Sequence, residues 1–242
     1  MKLLILLSLL LLPLNCYAVI ATTTPITISP LATDQTNLGG NSLAQVATNP
    51  SGNAVAVWQN TALGGNILRN TVRTIVAATY SSITGIWSTS LTIGVGYDPQ
   101  VAIDSSGNAI AIWVNGPQSN LSWAIQSAYF TAATGTWSAV VNIPTVRPLQ
   151  NKALYTPHIV MTAAGNAMVV WSDGFNDQIY GSNFLAGGPF VWTTPTQISV
   201  TSGVFPQISL ATTTEVATVV WQTTLQTAAK IEIQSSFILI AP

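Results

Sequence analysis

Four polar side chains recur at one place relative to tryptophan. Gln45, Gln100 and His158 stand thirteen residues before Trp58, Trp113 and Trp171, and Gln207 takes the same place before Trp221 with one extra residue between. Three amides and an imidazole donate and accept hydrogen bonds without net charge. That chemistry suits a small polar ligand or a glycan. It equally suits side chains that satisfy one another and water around a narrow channel, since buried polar groups need partners in any case. A second polar set follows the tryptophans: Asn60, Asn115, Asp173 and Asp177, with Trp123, Phe175 and Tyr180 nearby. Gln45, Gln100, His158, Gln207, Asn60, Asn115 and Asp173 are therefore the expected ligand-binding residues, and no residue is assigned a catalytic role.

Other chemistries are tested by the same inventory. His158 is the sole histidine, so a multi-histidine metal site is excluded, and no G-x-S-x-G turn is present. Ser172-Asp173-Gly174-Phe175-Asn176-Asp177 offers two carboxylates to a calcium ion. It lacks the spacing and terminal Glu of an EF-hand loop, and Asp and Asn are ordinary turn formers. No metal or cofactor is expected. A sialidase-type hydrolase needs an arginine cluster, yet only Arg69, Arg73 and Arg147 are present, two of them at or beside one predicted strand. The glutamates are Glu215, in a turn, and Glu232, in a late strand. Two-carboxylate glycoside hydrolysis would have to draw on Asp98, Asp173 or Asp177.

These residues are carried by a repeat. Asp104–Trp113 reads D-S-S-G-N-A-I-A-I-W; it returns as Asn49–Trp58 and Thr162–Trp171, and in worn form as Thr212–Trp221. The four tryptophans are 55, 58 and 50 residues apart. A period of this size marks a propeller or another array of one supersecondary unit. Each copy reads as short strands with Gly, Pro and Asn turns between them, which argues for an all-β fold. In the second copy the predicted strands are Pro99–Asp104, Ala109–Val114, Trp123–Thr131 and Thr136–Ile143. A second tryptophan, Trp87, Trp137 or Trp192, marks each fourth strand. The units span about 42–93, 98–143, 156–200 and 205–240. The last has room for three strands only, and Thr23–Ser29 resembles the missing fourth, as seen in Thr193–Ser199.

Charged residues make up 5% of the 242, with Lys+Arg 6 against Asp+Glu 7, where soluble domains average about 25%. No basic stripe exists for phosphates, so nucleic acid is not an expected partner. Lys2, the apolar run Leu3–Leu14 and small residues before position 19 form the pattern of a secretory signal peptide over 1–18, too short for a membrane span. A secreted chain of 19–242 follows, without a membrane span. Cys16, the only cysteine, would leave with the leader, so no disulfide is expected; lipoprotein processing at Cys16 is the alternative, with Asn15 standing where a small residue is wanted. The sequon Asn120-Leu121-Ser122 matters only in a eukaryotic secretory route.

With its G-N-A-x-A-x-W strands, the chain resembles the secreted bacterial β-propellers over residues 23–240. Asp104, before its turn, resembles the Asp-box of sialidase-like propellers, although Asn49 and Thr162 replace it in the sister copies. The resemblance implies a four-bladed β-propeller of four-stranded antiparallel blades, closed by the mature N-terminal strand completing the last blade beside Phe237. Two chains pairing into a larger ring are the alternative. It also places the Gln/His set at the start of the innermost strands, on the face where propellers commonly bind ligands. The function expected first is a secreted, non-catalytic binding or scaffold module for a protein or glycan. A degenerate or unusual glycoside-processing enzyme and a self-assembling surface protein are the alternatives, and a homo-oligomer is compatible with each.

In such an array both faces of the inner strands are buried, which explains the unbroken apolar run Ala109–Trp113. Trp113→Ala is expected to cost about 3–5 kcal/mol of stability. Chemical denaturation checks this, and an unchanged unfolding midpoint would refute the core assignment.

Overall fold

The computed structural model describes residues 26–28, 40–63, 71–116, 123–146, 157–173, 176–211, 214–225 and 230–240. The leader, Cys16, Thr23–Pro25, Arg69, Arg147, the sequon at Asn120 and Gly174-Phe175 lie outside them. Among the described residues every regular element is a strand, and no helix is long and apolar enough to cross a membrane.

The strands form four antiparallel sheets, one per repeat. The first holds β1 (Gly40–Thr48), β2 (Ala54–Leu63), β3 (Thr71–Ser81), β4 (Ile86–Trp87) and β5 (Leu91–Val95). The second holds β6 (Tyr97–Ile103), β7 (Ala109–Asn115), β8 (Ala124–Thr131), β9 (Thr136–Trp137) and β10 (Val141–Ile143). The third holds β11 (His158–Met161), β12 (Ala167–Ser172), β13 (Ile179–Phe184) and β14 (Thr196–Gln197). The fourth holds β15 (Val204–Ala211), β16 (Val216–Leu225) and β17 (Lys230–Leu239).

The sheets stack face to face, and the alternation of each second strand decides how. In β7 the set Ala109, Ala111 and Trp113 faces the first sheet, meeting Val55, Val57, Ile75 and Ile93. Ile110 and Ile112 face the third sheet, meeting Ala167, Val169 and Trp171. Met168 and Val170 then meet Ala217, Val219 and Trp221 of the fourth. In β7, β12 and β16 alanine and tryptophan thus look back to the preceding sheet, joined by Val169 in the third sheet and Val219 in the fourth.

The G-N-A triplet has a bonding role in its turn. Asn53, Asn108 and Asn166 each accept a backbone N–H from the hairpin between the third and fourth strands: that of Ser82, Ala132 and Ala186, at 3.0, 3.0 and 2.9 Å. The first residue of the turn accepts the asparagine's own N–H: Asn49 Oδ1 at 3.0 Å, Asp104 Oδ1 at 2.8 Å and Thr162 Oγ1 at 3.2 Å. Asp, Asn and Thr are interchangeable here because only a side-chain oxygen is needed. In the worn fourth copy Glu215 takes the left-handed φ (55°) that Gly52 holds at 81°, and Val216 replaces the asparagine.

The single fourth strand expected in each repeat is in fact two pieces. After Trp87, Ser88 N–H bonds Thr79 O at 2.7 Å, and Ser88 Oγ accepts Thr79 N–H at 3.0 Å. Ser138 does the same to Tyr129, and Thr193 to Asn183. The hydroxyl stands in for a ladder carbonyl, so the strand breaks at W-S or W-T and resumes as β5, β10 or β14.

The expected ring closure within the chain is not seen among the described residues, and Thr23–Pro25 and Ser29 of the closing segment lie outside them. Ile26–Ile28 form no ladder with β17; Ile28 packs on the first sheet, against the cluster of Ala56, Trp58, Val76 and Ala78. Phe237, its expected neighbour, is 73% exposed. Inner strand β1 packs on β6, β6 on β11 and β11 on β15, whereas β15 and β1 do not pack in this way.

Asn108→Ala removes the tie between two turns and is expected to cost about 1–3 kcal/mol. The readout is the urea midpoint, with exposed Thr84→Ala as an unaffected control.

Candidate functional site

Each sheet has a tight-turn end, at Asn49–Asn53 and its copies, and a loop end, where the second strand leaves past its tryptophan. The polar side chains gather at the loop ends and along the inner strands. Gln45, Gln100, His158 and Gln207 lie opposite Val57, Ile112, Val170 and Val220 respectively, each the residue before the tryptophan. They therefore hold one register on four successive inner strands. Side chains opposite one another share a sheet face, so Gln45, Gln100 and His158 point toward the next sheet and Gln207 lies on the outward face of the fourth. His158 and Gln207 meet, Nε2 to Nε2 at 3.0 Å. Gln45 is exposed and Gln100 half-buried.

A feature not read from the sequence precedes this column. The inner strands carry a bulge between Ser42 and Gln45, between Tyr97 and Gln100, and between Val204 and Gln207. Each holds a non-glycine residue in the left-handed region: Leu43 at φ 53°, Asp98 at 52° and Phe205 at 53°. Bulges re-aim side chains, and such backbone costs roughly 1–3 kcal/mol per residue, so it persists only where the surroundings enforce it. No glycine or Asn-Gly pair announces these positions, which is why sequence patterns missed them.

At the loop end of the first two sheets the Arg73 guanidinium lies 4.8 Å from the centroid of the Tyr97 ring. Tyr97 is tilted against Trp123, with centroids 5.5 Å apart. Asp98 follows Tyr97 in the bulge. Arg73, expected at or beside its strand, is thus brought to the loop end by its contact with the next sheet. A polar chain runs alongside: Gln126 Oε1 accepts from Trp113 Nε1 at 3.2 Å and from Asn115 Nδ2 at 3.0 Å, while Gln126 Nε2 donates to Asn142 Oδ1 at 2.9 Å. Asn60 donates to Asn41 Oδ1 at 2.9 Å, as does Trp58 Nε1 at 3.0 Å.

On the third sheet Asp173 is buried, and its Oδ1 accepts the N–H of Asn176 and of Gln178, each at 3.1 Å. It organises the loop that presents Asp177, itself left-handed at φ 53° and bonded through its carbonyl to Gly203 N–H. No group of three or more His, Cys, Asp or Glu gathers to hold a metal among the described residues. Asp104 lies at the opposite, turn end, bonded to Asn108 through both oxygens. Its charge, after burial, helps raise the Tyr129 pKa. A more apolar cavity of 540 Å³ also sits at that end, lined by Tyr80, Ile83, Trp87 and Phe130 among others. It holds none of the polar column, and its walls offer little chemistry.

No protein-family model matches the chain, and no curated protein does. Solved structures do match. The NanB sialidase of Streptococcus pneumoniae superposes with a TM-score of 0.52 at 9% identity, over 88% of this chain and 52% of that one. An α-L-arabinofuranosidase of Fusarium graminearum gives 0.49 at 12%, over 88% and 65%. The β-propeller domain of the Trilobed protease from Pyrococcus furiosus gives 0.46 at 10%, over 83% and 57%. The chain has a β-propeller fold. It spans less than two thirds of the length of each of these structures. A xylan β-1,4-xylosidase of Bacillus halodurans is a further match. The expectation of a non-catalytic binding module is corrected: the neighbour with a TM-score above 0.5 is a sialidase, which fits the glycoside-processing alternative better.

Burial lowers the His158 pKa below its usual 6.5. With the Gln207 amide donating, Nε2 accepts and the ring is neutral. The unfolded chain then binds a proton more readily than the folded one below about pH 6.5. Stability is full above that value and falls as pH drops toward the lowered folded pKa. Urea midpoints between about pH 7.5 and 5.5 should show the decline, and His158→Gln should flatten it.

Proposed function

We propose that the chain is a secreted glycoside-processing enzyme whose four sheets are four propeller blades, acting at the loop ends of its inner strands. The observation that carries this reading is the half-buried Trp123 ring set beside Asp98, tilted against the buried Tyr97, over which the Arg73 guanidinium lies. Aromatic faces suit the apolar faces of sugar rings, and a guanidinium beside them suits hydroxyl or carboxylate groups. Hydrolysis of a glycosidic bond needs one carboxylic acid to protonate the leaving oxygen and one carboxylate to act as nucleophile or to activate water. Asp98, set in a bulge of left-handed backbone, is assigned one of these roles. Asp177, half-buried at the corresponding end of the third sheet, is assigned the other, because Asp173 Oδ1 is committed to its loop. The Gln45, Gln100, His158 and Gln207 column, with Asn60 and Asn115, lines the approach and bonds sugar hydroxyls. Structural neighbours acting on xylan, arabinosides and sialosides favour this class over other propeller activities.

A panel of fluorogenic glycosides, sialosides included, tests the reading. Turnover of at least one is expected, with kcat reduced about 10²–10⁴-fold by Asp98→Asn and folding retained by circular dichroism. Absence of turnover across the panel, or full activity in Asp98→Asn, would overturn it.

A further inference from the structure

The three interfaces between successive sheets share one more component. Each tryptophan-bearing face receives an isoleucine from the outermost strand of the preceding sheet: Ile93 on the second sheet, Ile143 on the third and Ile198 on the fourth. The first sheet has the same receiving face, with Ala56, Trp58, Val76 and Ala78 buried, and Ile28 lies on it. Ile28 therefore sits where an outermost-strand isoleucine sits, yet among the described residues it is paired to no sheet. The fourth sheet shows the converse. Strand β17 has no partner on its outer edge among the described residues, whereas β3, β8 and β13 each carry one. On the side turned away from the third sheet, Ile231, Ile233, Phe237 and Leu239 are 63%, 70%, 73% and 60% exposed. Long apolar edge strands of this kind are templates for pairing with another strand.

We infer that the open face and edge of the fourth sheet receive the first sheet and the Ile26–Ile28 strand of a second copy of this chain. The register follows from the other sheets. Ile143 lies opposite Ile125, which itself lies opposite Val114, the residue after Trp113. In the fourth sheet the residue after Trp221 is Gln222, opposite Ile233. Ile28 of one copy thus stands beside Ile233 of the other, and Ile26 beside Ser235. One contact gives the stranded segment a sheet and the unfinished sheet its outer strand, continuing the interface already used three times within the chain. Because β15 and β1 do not pack together, the contact is made between chains. Two copies placed head to tail form it twice and close a ring of eight sheets, whereas a rotation that failed to close would give filaments.

The test uses the full chain carrying Cys16→Ser. Ile26→Cys and Ser235→Cys are introduced separately, and the two proteins are mixed under mild oxidation. A covalent dimer that forms only in the mixture is expected, with light scattering giving twice the chain mass for the parent. Phe237→Glu, at an exposed site, should halve that mass without altering the circular dichroism spectrum. A parent that stays monomeric at tens of micromolar overturns the inference. So does a mass that grows without limit, or a cross-link that forms only within one chain when both cysteines are present together.

Discussion

Tryptophan against bare glycine backbone of the preceding segment is the contact that sets how the sheets approach. A side chain at Gly94 would place its Cβ 2.3 Å from the Trp113 ring, and one at Gly203 would place it 2.4 Å from Trp221. Both glycines precede an inner strand, so the indole of the second strand lies flat on the chain arriving from the previous sheet. No Cβ fits between them. Trp113 is fully buried in this way and donates to the carbonyl of Val95, at the end of β5, at 3.1 Å. The small residues below each tryptophan then leave room for the branched residues of the preceding sheet, and close packing extends from one sheet to the next.

That contact orders the two ends of the molecule differently. At the turn end, side-chain oxygens and asparagine amides stitch hairpins to hairpins, and Asn49 Nδ2 reaches across to the carbonyls of Asp104 and Ser105 at 3.1 and 3.2 Å. Ser105 Oγ continues the line to Ala163 O at 2.6 Å. These bonds tie the first three sheets together at the end remote from the polar column. At the loop end, the glycine linkers bring residues of one sheet onto the next, and left-handed backbone collects at Asp98, Asp177 and Phe205. Stitching at one end frees the other to hold strained backbone and exposed polar groups, the division expected of a rigid scaffold that carries chemistry on its loops.

The low charge of the chain bears on both. With few ionic groups, neutral amides and hydroxyls do the bonding, as in the Gln126 network and the Ser88 and Ser138 strand breaks. Neutral donors are cheaper to bury than ions, which suits a stack whose strands are covered on both faces. An outward face such as that of β17 then carries little electrostatic barrier to another neutral sheet.

The repeat, the strand type and the polar column were all legible in the sequence. Each depends on spacing along one strand or hairpin, and a period-two pattern states its own register. The role of asparagine in G-N-A was legible only as a turn signal, because its second partner lies in a different hairpin. Arg73 over Tyr97 was hidden for the same reason: third strand and linker meet only after two sheets have packed. Likewise, Ile28 carries the fourth-strand pattern in its sequence, but only the packed sheets decided which face it covers. Local alternation therefore determined which elements form and which faces are apolar. Tertiary packing decided which faces meet and what remains open, since that depends on the curvature accumulated over successive sheets rather than on any one of them.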